Sequence, residues 1–265
     1  MTSKYDNRPI AVFDSGIGGI TVMEHIIKEF PNENYYYLGD TKNCPYGVKT
    51  TEQIKQYVLD AIKFIEKMDC KMMVIGCNTA TFNSYHISSQ MPIIRIIEPT
   101  AKEAVKKHKK HGEKIIVLGT NLTIDNKAYE KFIESHHMIP VRASKFVEIA
   151  ENGLQNSNHS KKECEKVLKH AKGKGKVVVL GCTHFGLLEN DIKHVLGHDI
   201  EIVESSKCII NCVRETLLSI GQNDKSETPK IEINVTGDPE EVKINWFKRT
   251  YFGIYQVNIN PMEEL

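Results

Sequence analysis

The sequence carries almost no net charge. Its 35 Lys and Arg oppose 34 Asp and Glu, leaving +1 over 265 residues with His neutral. Composition therefore excludes the strongly basic chains that track nucleic-acid phosphates or anionic membranes. No run of 18 apolar residues occurs, which excludes an ordinary spanning helix. No Cys-x-x-Cys pair occurs either, so a structural zinc site or a thioredoxin-like site lacks its usual signature. The one glycine-rich turn, Asp14-Ser15-Gly16-Ile17-Gly18-Gly19, fails the Gly-x-Gly-x-x-Gly spacing and lacks the Lys-Ser/Thr of a phosphate loop. Met1–Arg8 is polar and runs straight into an apolar segment, so no secretory signal is expected. Seven cysteines, an odd number in such a chain, then point to reduced thiols and a cytoplasmic location. The lysine-rich stretches 102–114 and 161–176 read as solvated helix ends, because no aromatics interleave with them.

What is present is alternation. Apolar runs at Ile10–Phe13, Tyr35–Leu38, Met72–Ile75, Ile93–Ile97, Ile115–Leu118, Ile139–Val141, Val177–Leu180 and Ile200–Val203 predict strands. Amphipathic segments separate them. Glu52–Met68 places Ile54, Tyr57, Val58, Ala61, Ile62 and Ile65 on one helical face, and a helix is expected from Pro99 through Lys110. Strands alternating with helices predict parallel sheets covered by helices on both faces. In the tail, strands are expected at Ile231–Val235 and Ile254–Val257, around a helix over Pro239–Lys248.

The alternation repeats. Val74-Ile75-Gly76-Cys77-Asn78-Thr79 and Val179-Leu180-Gly181-Cys182-Thr183-His184 place a Gly-Cys after an apolar run, 105 positions apart. Ile10–Asp14 matches Ile115–Gly119 at the same offset, and Ile94–Glu98 matches Ile200–Glu204 at 106. Two copies of this length imply two similar, pseudo-symmetric α/β domains rather than a solenoid. The expected division is residues 1–98 completed by 206–265, and residues 99–205 between them. Ligands of open parallel sheets sit beyond the carboxyl ends of the strands, where Asp14, Asp40, Cys77, Glu98, Thr120, Cys182 and Glu204 fall. Two thiols facing one interdomain cleft would suit moving a proton from one face of a carbon to the other.

A lone free cysteine is usually a small buried hydrophobe. Two at equivalent strand ends, each next to an expected helix start, are instead candidate bases. Cys44, Cys70, Cys164, Cys208 and Cys212 have no such counterpart and read as structural. His184, two residues after Cys182, is a candidate proton donor or a local hydrogen-bonding group. Asp14 and Glu151 are candidate carboxylates to orient an ammonium group or assist proton transfer. The glycine-rich turn at Asp14–Gly19 offers backbone N–H groups to an anion.

Taken in order, Asp14-Ser15-Gly16-Ile17-Gly18-Gly19, Gly39-Asp40-Thr41 with Pro45-Tyr46-Gly47, Cys77-Asn78-Thr79-Ala80 and Gly181-Cys182-Thr183-His184 resemble the bacterial glutamate racemases. The resemblance runs from about residue 9 to Thr236-Gly237-Asp238. It implies two α/β domains enclosing glutamate, no cofactor and no metal, and D-glutamate for peptidoglycan as the output. It implies that Cys77 takes the α-proton from D-glutamate and Cys182 from L-glutamate, assisted by Asp14, Glu151 and His184. Ser15, Pro45, Tyr46, Gly47, Asn78, Thr79 and Thr183 are then substrate-holding positions, and with Asp14, Thr120 and His184 they make the expected binding set. The expected partner is the small-molecule substrate, with neither nucleic acid nor membrane; a homodimer is the protein assembly to consider. Ala143-Ser144 stands where the family often has Cys-Pro, Phe185-Gly186 where it has an aromatic-Pro pair, and Glu148 where Pro is common. A racemase of aspartate or another amino acid, a non-catalytic ligand-binding relative and a thiol-redox protein remain open on the residues alone.

Overall fold

In a computed structural model of the chain, residues 5–111, 114–224, 228–238 and 257–261 are described. The chain divides into two compact units. One comprises residues up to Ile96 together with those from Ile209 onward; the other is the continuous segment Ile97–Cys208.

The first unit is built on a six-stranded parallel sheet. Its strands are β1 (Ile10–Asp14), β2 (Tyr35–Gly39), β3 (Met72–Ile75), β4 (Ile93–Arg95), β9 (Ile231–Val235) and β10 (Val257–Pro261). Their spatial order is β10-β9-β2-β1-β3-β4. Helices α1 (Gly19–Glu29), α2 (Thr51–Lys67), α3 (Asn78–Ser84) and α10 (Ile210–Ile220) accompany it. Every residue of β1, β2 and β3 is buried, as a central parallel sheet requires. Helix α2 starts on a reciprocal cap: Thr50 Oγ1 accepts from Gln53 N–H while Gln53 Oε1 accepts from Thr50 N–H. Its face Ile54, Val58, Ala61, Ile62 and Ile65 is buried. Each of those large side chains contributes about 1.5–3 kcal/mol through burial.

The second unit has four parallel strands, β5 (Ile115–Gly119), β6 (Met138–Arg142), β7 (Val177–Gly181) and β8 (Glu201–Glu204), in the order β6-β5-β7-β8. Its helices are α4 (Ile97–His111), α5 (Asn121–Asp125), α6 (Lys145–Glu151), α7 (Asn158–Leu168), α8 (Glu189–Leu196) and α9 (Ser205–Cys208). Pro140 lies inside β6, which is tolerated because β6 is an edge strand bonded only to β5. A core of Leu118, Phe146, Leu168, Leu180, Phe185 and Leu188 closes under the helices.

The order β6-β5-β7-β8 repeats β2-β1-β3-β4 of the first unit. The register repeats too: Ile10 pairs with Met72 and Ile115 with Val177, each 62 positions on. The expected parallel α/β architecture is therefore present in both halves. Boundaries differ in places. The strand expected over Ile93–Ile97 stops at Arg95, and α4 begins at Ile97 rather than Pro99. Pro99 falls in the first turn, where a missing N–H costs no helical hydrogen bond. The helix expected over Pro239–Lys248 lies outside the described residues, as do residues 254–256; the strand observed there starts at Val257. Among the described residues no helix is long and apolar enough to cross a membrane.

Far from the carboxyl ends of its strands, the first unit buries a charge pair. The ammonium of Lys71, just before β3, is fully buried against the carboxylate of Glu33, just before β2. It also donates to the Asp6 carbonyl at 2.6 Å and to Asn223 Oδ1 at 3.2 Å. The other oxygen of Glu33 accepts from Asn223 N–H at 3.1 Å. Four chain segments are tied together by this one network.

Candidate active site

Each thiol follows a buried strand of its own unit. In the first unit, Cys77 comes two residues after the end of β3 and is the N-cap of α3. Its sulfur accepts from Ala80 N–H at 3.4 Å and lies 3.4 Å from Ser15 Oγ. Both contacts, like the first-turn N–H groups of α3, favour negative charge on sulfur. Asp14 ends the neighbouring β1 and is 1% exposed, with Oδ1 accepting from Gly16 N–H at 3.0 Å. The turn after β1 packs too closely for side chains: a Cβ on Gly19 would lie 2.4 Å from Asp14 Cβ. Asn78 and Thr79 open α3 and are both buried, and the Thr79 carbonyl accepts from Asn83 Nδ2 at 2.9 Å.

The loop Pro45-Tyr46-Gly47 is held from beneath by Asp40. This carboxylate is wholly buried and accepts from Tyr46 Oη at 2.7 Å, Thr236 Oγ1 at 2.7 Å and Asn43 Nδ2 at 3.0 Å. Burial first, then the neighbouring Asp40 charge, push the Tyr46 phenol up, so it stays a neutral donor. Its hydroxyl is thus committed to Asp40. Asp40 and Thr236 are 196 positions apart, and this lock is not readable from either segment alone. Tyr37 does similar work behind the turn, donating from Oη to the Gly16 carbonyl at 2.6 Å.

In the second unit the thiol sits differently. Cys182 directly follows β7, but the next element is a single 3-10 turn, Phe185–Leu188, whose N-cap is His184. The expected helix start at Cys182 is therefore not present; a regular helix resumes only at Glu189. Phe185, the first residue of that turn, is buried in the core against Phe146, with ring centroids 5.5 Å apart. In place of a helix N-terminus, Cys182 has an imidazole: Sγ lies 3.6 Å from His184 Nδ1. His184 Nε2 in turn lies 3.2 Å from Glu151 Oε1, at the last residue of α6. Ring and carboxylate lie close but off the line of a straight hydrogen bond. Burial opposes protonation of His184, but Cys182 and Glu151 outweigh it and push the imidazole up to about 10. Thiol, imidazole and carboxylate form one chain reaching from β7 to α6.

Thr120 caps α5 through Thr123 N–H at 3.3 Å, and follows Gly119, which pairs with Gly181 before Cys182. It is the positional counterpart of Ser15 at the repeat offset of 105. Close approach again requires glycine: a Cβ on Gly181 would lie 2.5 Å from the Leu118 carbonyl oxygen. Thr183 is half-buried between Cys182 and His184. Within the first unit the structure thus gathers Asp14, Ser15, Tyr46, Cys77, Asn78 and Thr79, with Pro45 and Gly47 on the flanking loop. Within the second it gathers Thr120, Glu151, Cys182, Thr183 and His184. Among the remaining thiols, burial pushes Cys70, Cys164 and Cys208 up to about 12, which keeps them protonated and unreactive.

The charged His184 has a measurable signature. An imidazole raised above its ordinary value of about 6.5 adds stability that is fully present below that value and fades as pH climbs toward 10. The stability lost in His184→Asn, measured by urea unfolding, should be largest near pH 6 and shrink steadily toward pH 10. A difference that stays constant with pH would mean the ring is neutral.

Comparison with known proteins follows the same outline. The family model described as Asp/Glu/Hydantoin racemase matches residues 18–213. A glutamate racemase of Lysinibacillus sphaericus is 35% identical over 96% of this chain and 99% of its own length. One of Streptococcus gordonii is 36% identical over 79% of this chain and 80% of its own. Among solved structures, a glutamate racemase isoform of Bacillus anthracis superposes with a TM-score of 0.85 at 28% identity, covering 97% of this chain and 98% of that one.

Proposed function

This chain belongs to the Asp/Glu/hydantoin racemase family, and on that premise we propose that it interconverts L- and D-glutamate using Cys77 and Cys182 as its two bases, without a cofactor. The observation that carries this reading is the pair of thiols at equivalent strand ends of a duplicated sheet, each given its own means of holding charge. Curated relatives of matching length that act on glutamate set the substrate.

The chemistry needs two bases because inversion needs two faces. Starting from D-glutamate, the Cys77 thiolate takes the α-proton: the C–H bond breaks, an S–H bond forms, and the electron pair stays on carbon, delocalised into the carboxylate. The Cys182 thiol then returns a proton to the opposite face and is left as thiolate. From L-glutamate the roles exchange. Ser15 and the α3 N–H groups support charge on Cys77, whereas the charged His184 supports it on Cys182 and Glu151 holds that ring. Thus one thiol relies on a helix end and the other on an ion chain. In this reading Asp14 orients the ammonium group. In this reading the N–H and hydroxyl groups of Asn78, Thr79, Thr120 and Thr183, with the Pro45-Tyr46-Gly47 backbone, hold the carboxylates. General base catalysis supplies about 10²–10⁴-fold, so these fixed donors must stabilise the developing carbanion as well.

The test is circular dichroism of L-glutamate, D-glutamate and L-aspartate incubated separately with the purified protein and no added cofactor. Both glutamate signals should decay to zero while aspartate persists. Decay of aspartate alone would overturn the substrate assignment, and decay of none would overturn the racemase reading.

A further inference from the structure

At the far end of the second unit from Cys182 lies a cluster that proton transfer does not use. The 3-10 turn Ser135–His137 leads into the start of β6, whereas Cys182 follows the finish of β7 in the same parallel sheet. Glu134 caps this turn, with His137 N–H donating to its carbonyl at 2.9 Å. The tight turn brings the side chains of Glu134, His136 and His137 together, and one donor atom of each lies within 4.8 Å of the others. His136 Nε2 is 3.2 Å and His137 Nε2 3.8 Å from the same oxygen, Glu134 Oε2. The His136 and His137 rings have centroids 3.9 Å apart, and His108, near the C-terminal end of α4, places its ring 4.6 Å from that of His137.

We propose that Glu134, His136 and His137, with His108 beside them, form a binding site for a divalent transition-metal ion of the zinc class. Bonds of about 2.0–2.2 Å to nitrogen and oxygen place the ligands of a tetrahedral ion about 3.3–3.5 Å apart. The two separations from Glu134 Oε2 bracket that spacing, and the three donor atoms lie within 4.8 Å of one another. Imidazole nitrogens with one carboxylate select zinc, cobalt, nickel or copper over calcium and magnesium, which take oxygen ligands. A plain ion pair accounts for the cluster less well. One carboxylate neutralises one imidazolium, yet three imidazoles are gathered around this one. The residues are not packed as core either, since the Glu134 and His136 side chains are 73% and 68% exposed. That exposure leaves the donors open to an ion from solution, with water as a remaining ligand. The bound ion pins the turn that leads into β6, with the His108 ring of α4 packed beside it. It acts on the second unit as a brace and takes no part in the chemistry at Cys182.

The experiment must separate this site from the thiols, which also bind soft metals. Chelator-treated full-length protein is titrated with Co²⁺, which reports its ligands optically. Nitrogen and oxygen ligation gives visible d–d bands alone, whereas a thiolate adds a charge-transfer band in the near ultraviolet. The expected result is one equivalent bound with d–d bands alone, displaced by Zn²⁺. Binding should weaken by about tenfold or more, about 1.4 kcal/mol, in His136→Ala/His137→Ala and again in Glu134→Gln. Far-ultraviolet dichroism and glutamate turnover of those variants in chelator should match the parent. Equal cobalt binding by parent and variants overturns the proposal. So does a thiolate band that disappears in Cys182→Ser, or no binding in the parent.

Discussion

Cys77→Ser and Cys182→Ser will each lower racemisation of glutamate by about 10²–10⁴-fold or more in both directions. Each variant will keep half of the chemistry. A hydroxyl is far less acidic than a thiol, so it neither takes the α-proton nor returns one on its face. With Cys182 replaced, Cys77 still reaches the α-proton of D-glutamate, and with Cys77 replaced, Cys182 still reaches that of L-glutamate. In deuterium oxide, proton NMR should therefore show α-deuterium entering D-glutamate alone with Cys182→Ser, and L-glutamate alone with Cys77→Ser, without inversion. Inversion within about tenfold of the parent rate in either variant rules out the two-thiol assignment. Uptake into the wrong enantiomer reverses the assignment of faces.

The largest loss of stability is expected at the opposite end of the first unit's strands from Cys77. Lys71→Met should destabilise the fold by about 3–5 kcal/mol, because it leaves the Glu33 carboxylate buried without its partner. It also removes the donor to the Asp6 carbonyl and Asn223 Oδ1. A second substitution separates the cost of an orphaned charge from the cost of lost packing. Glu33→Gln keeps an oxygen for Asn223 N–H while discarding the charge, so Lys71→Met/Glu33→Gln should be more stable than Lys71→Met alone. Urea midpoints for the three proteins decide it. A double variant less stable than the single would mean that lost packing, not the stranded carboxylate, dominates.

The two kinds of feature behind these predictions were not equally visible in the sequence. The parallel sheets were legible because buried parallel strands are nearly continuous apolar runs, as in Ile115–Leu118 and Val177–Leu180, and those runs repeat at a fixed offset. The thiols were legible for the same reason: each follows such a run by a fixed count. Lys71 was not, since Asp69-Cys70-Lys71 before a strand reads as an ordinary polar turn, and its partners lie 38 and 152 positions away. The Asp40 lock on Tyr46 and Thr236 escaped for the same reason, although Asp40 itself stood out at a strand end. Around Cys182 local pattern misled. The likeness to Cys77 predicted a helix start, but the chain forms a 3-10 turn there, with Phe185 buried in the core. The histidine cluster draws on α4 and the approach to β6, whose contact depends on the folded sheet.

Synthesis from the N-terminus gives the two units different histories. The segment Ile97–Cys208 is continuous, so all of its strands are available once that stretch has left the ribosome. The first unit begins earlier and is completed later. Strand β2 is made by residue 39, but its outer neighbour β9 spans Ile231–Val235, beyond the whole of the second unit. For nearly two hundred residues of elongation, Tyr35-Tyr36-Tyr37-Leu38 presents an open, apolar strand edge, the kind of surface that recruits chaperones or neighbouring nascent chains. The unit whose synthesis starts first is the one that waits longest to close.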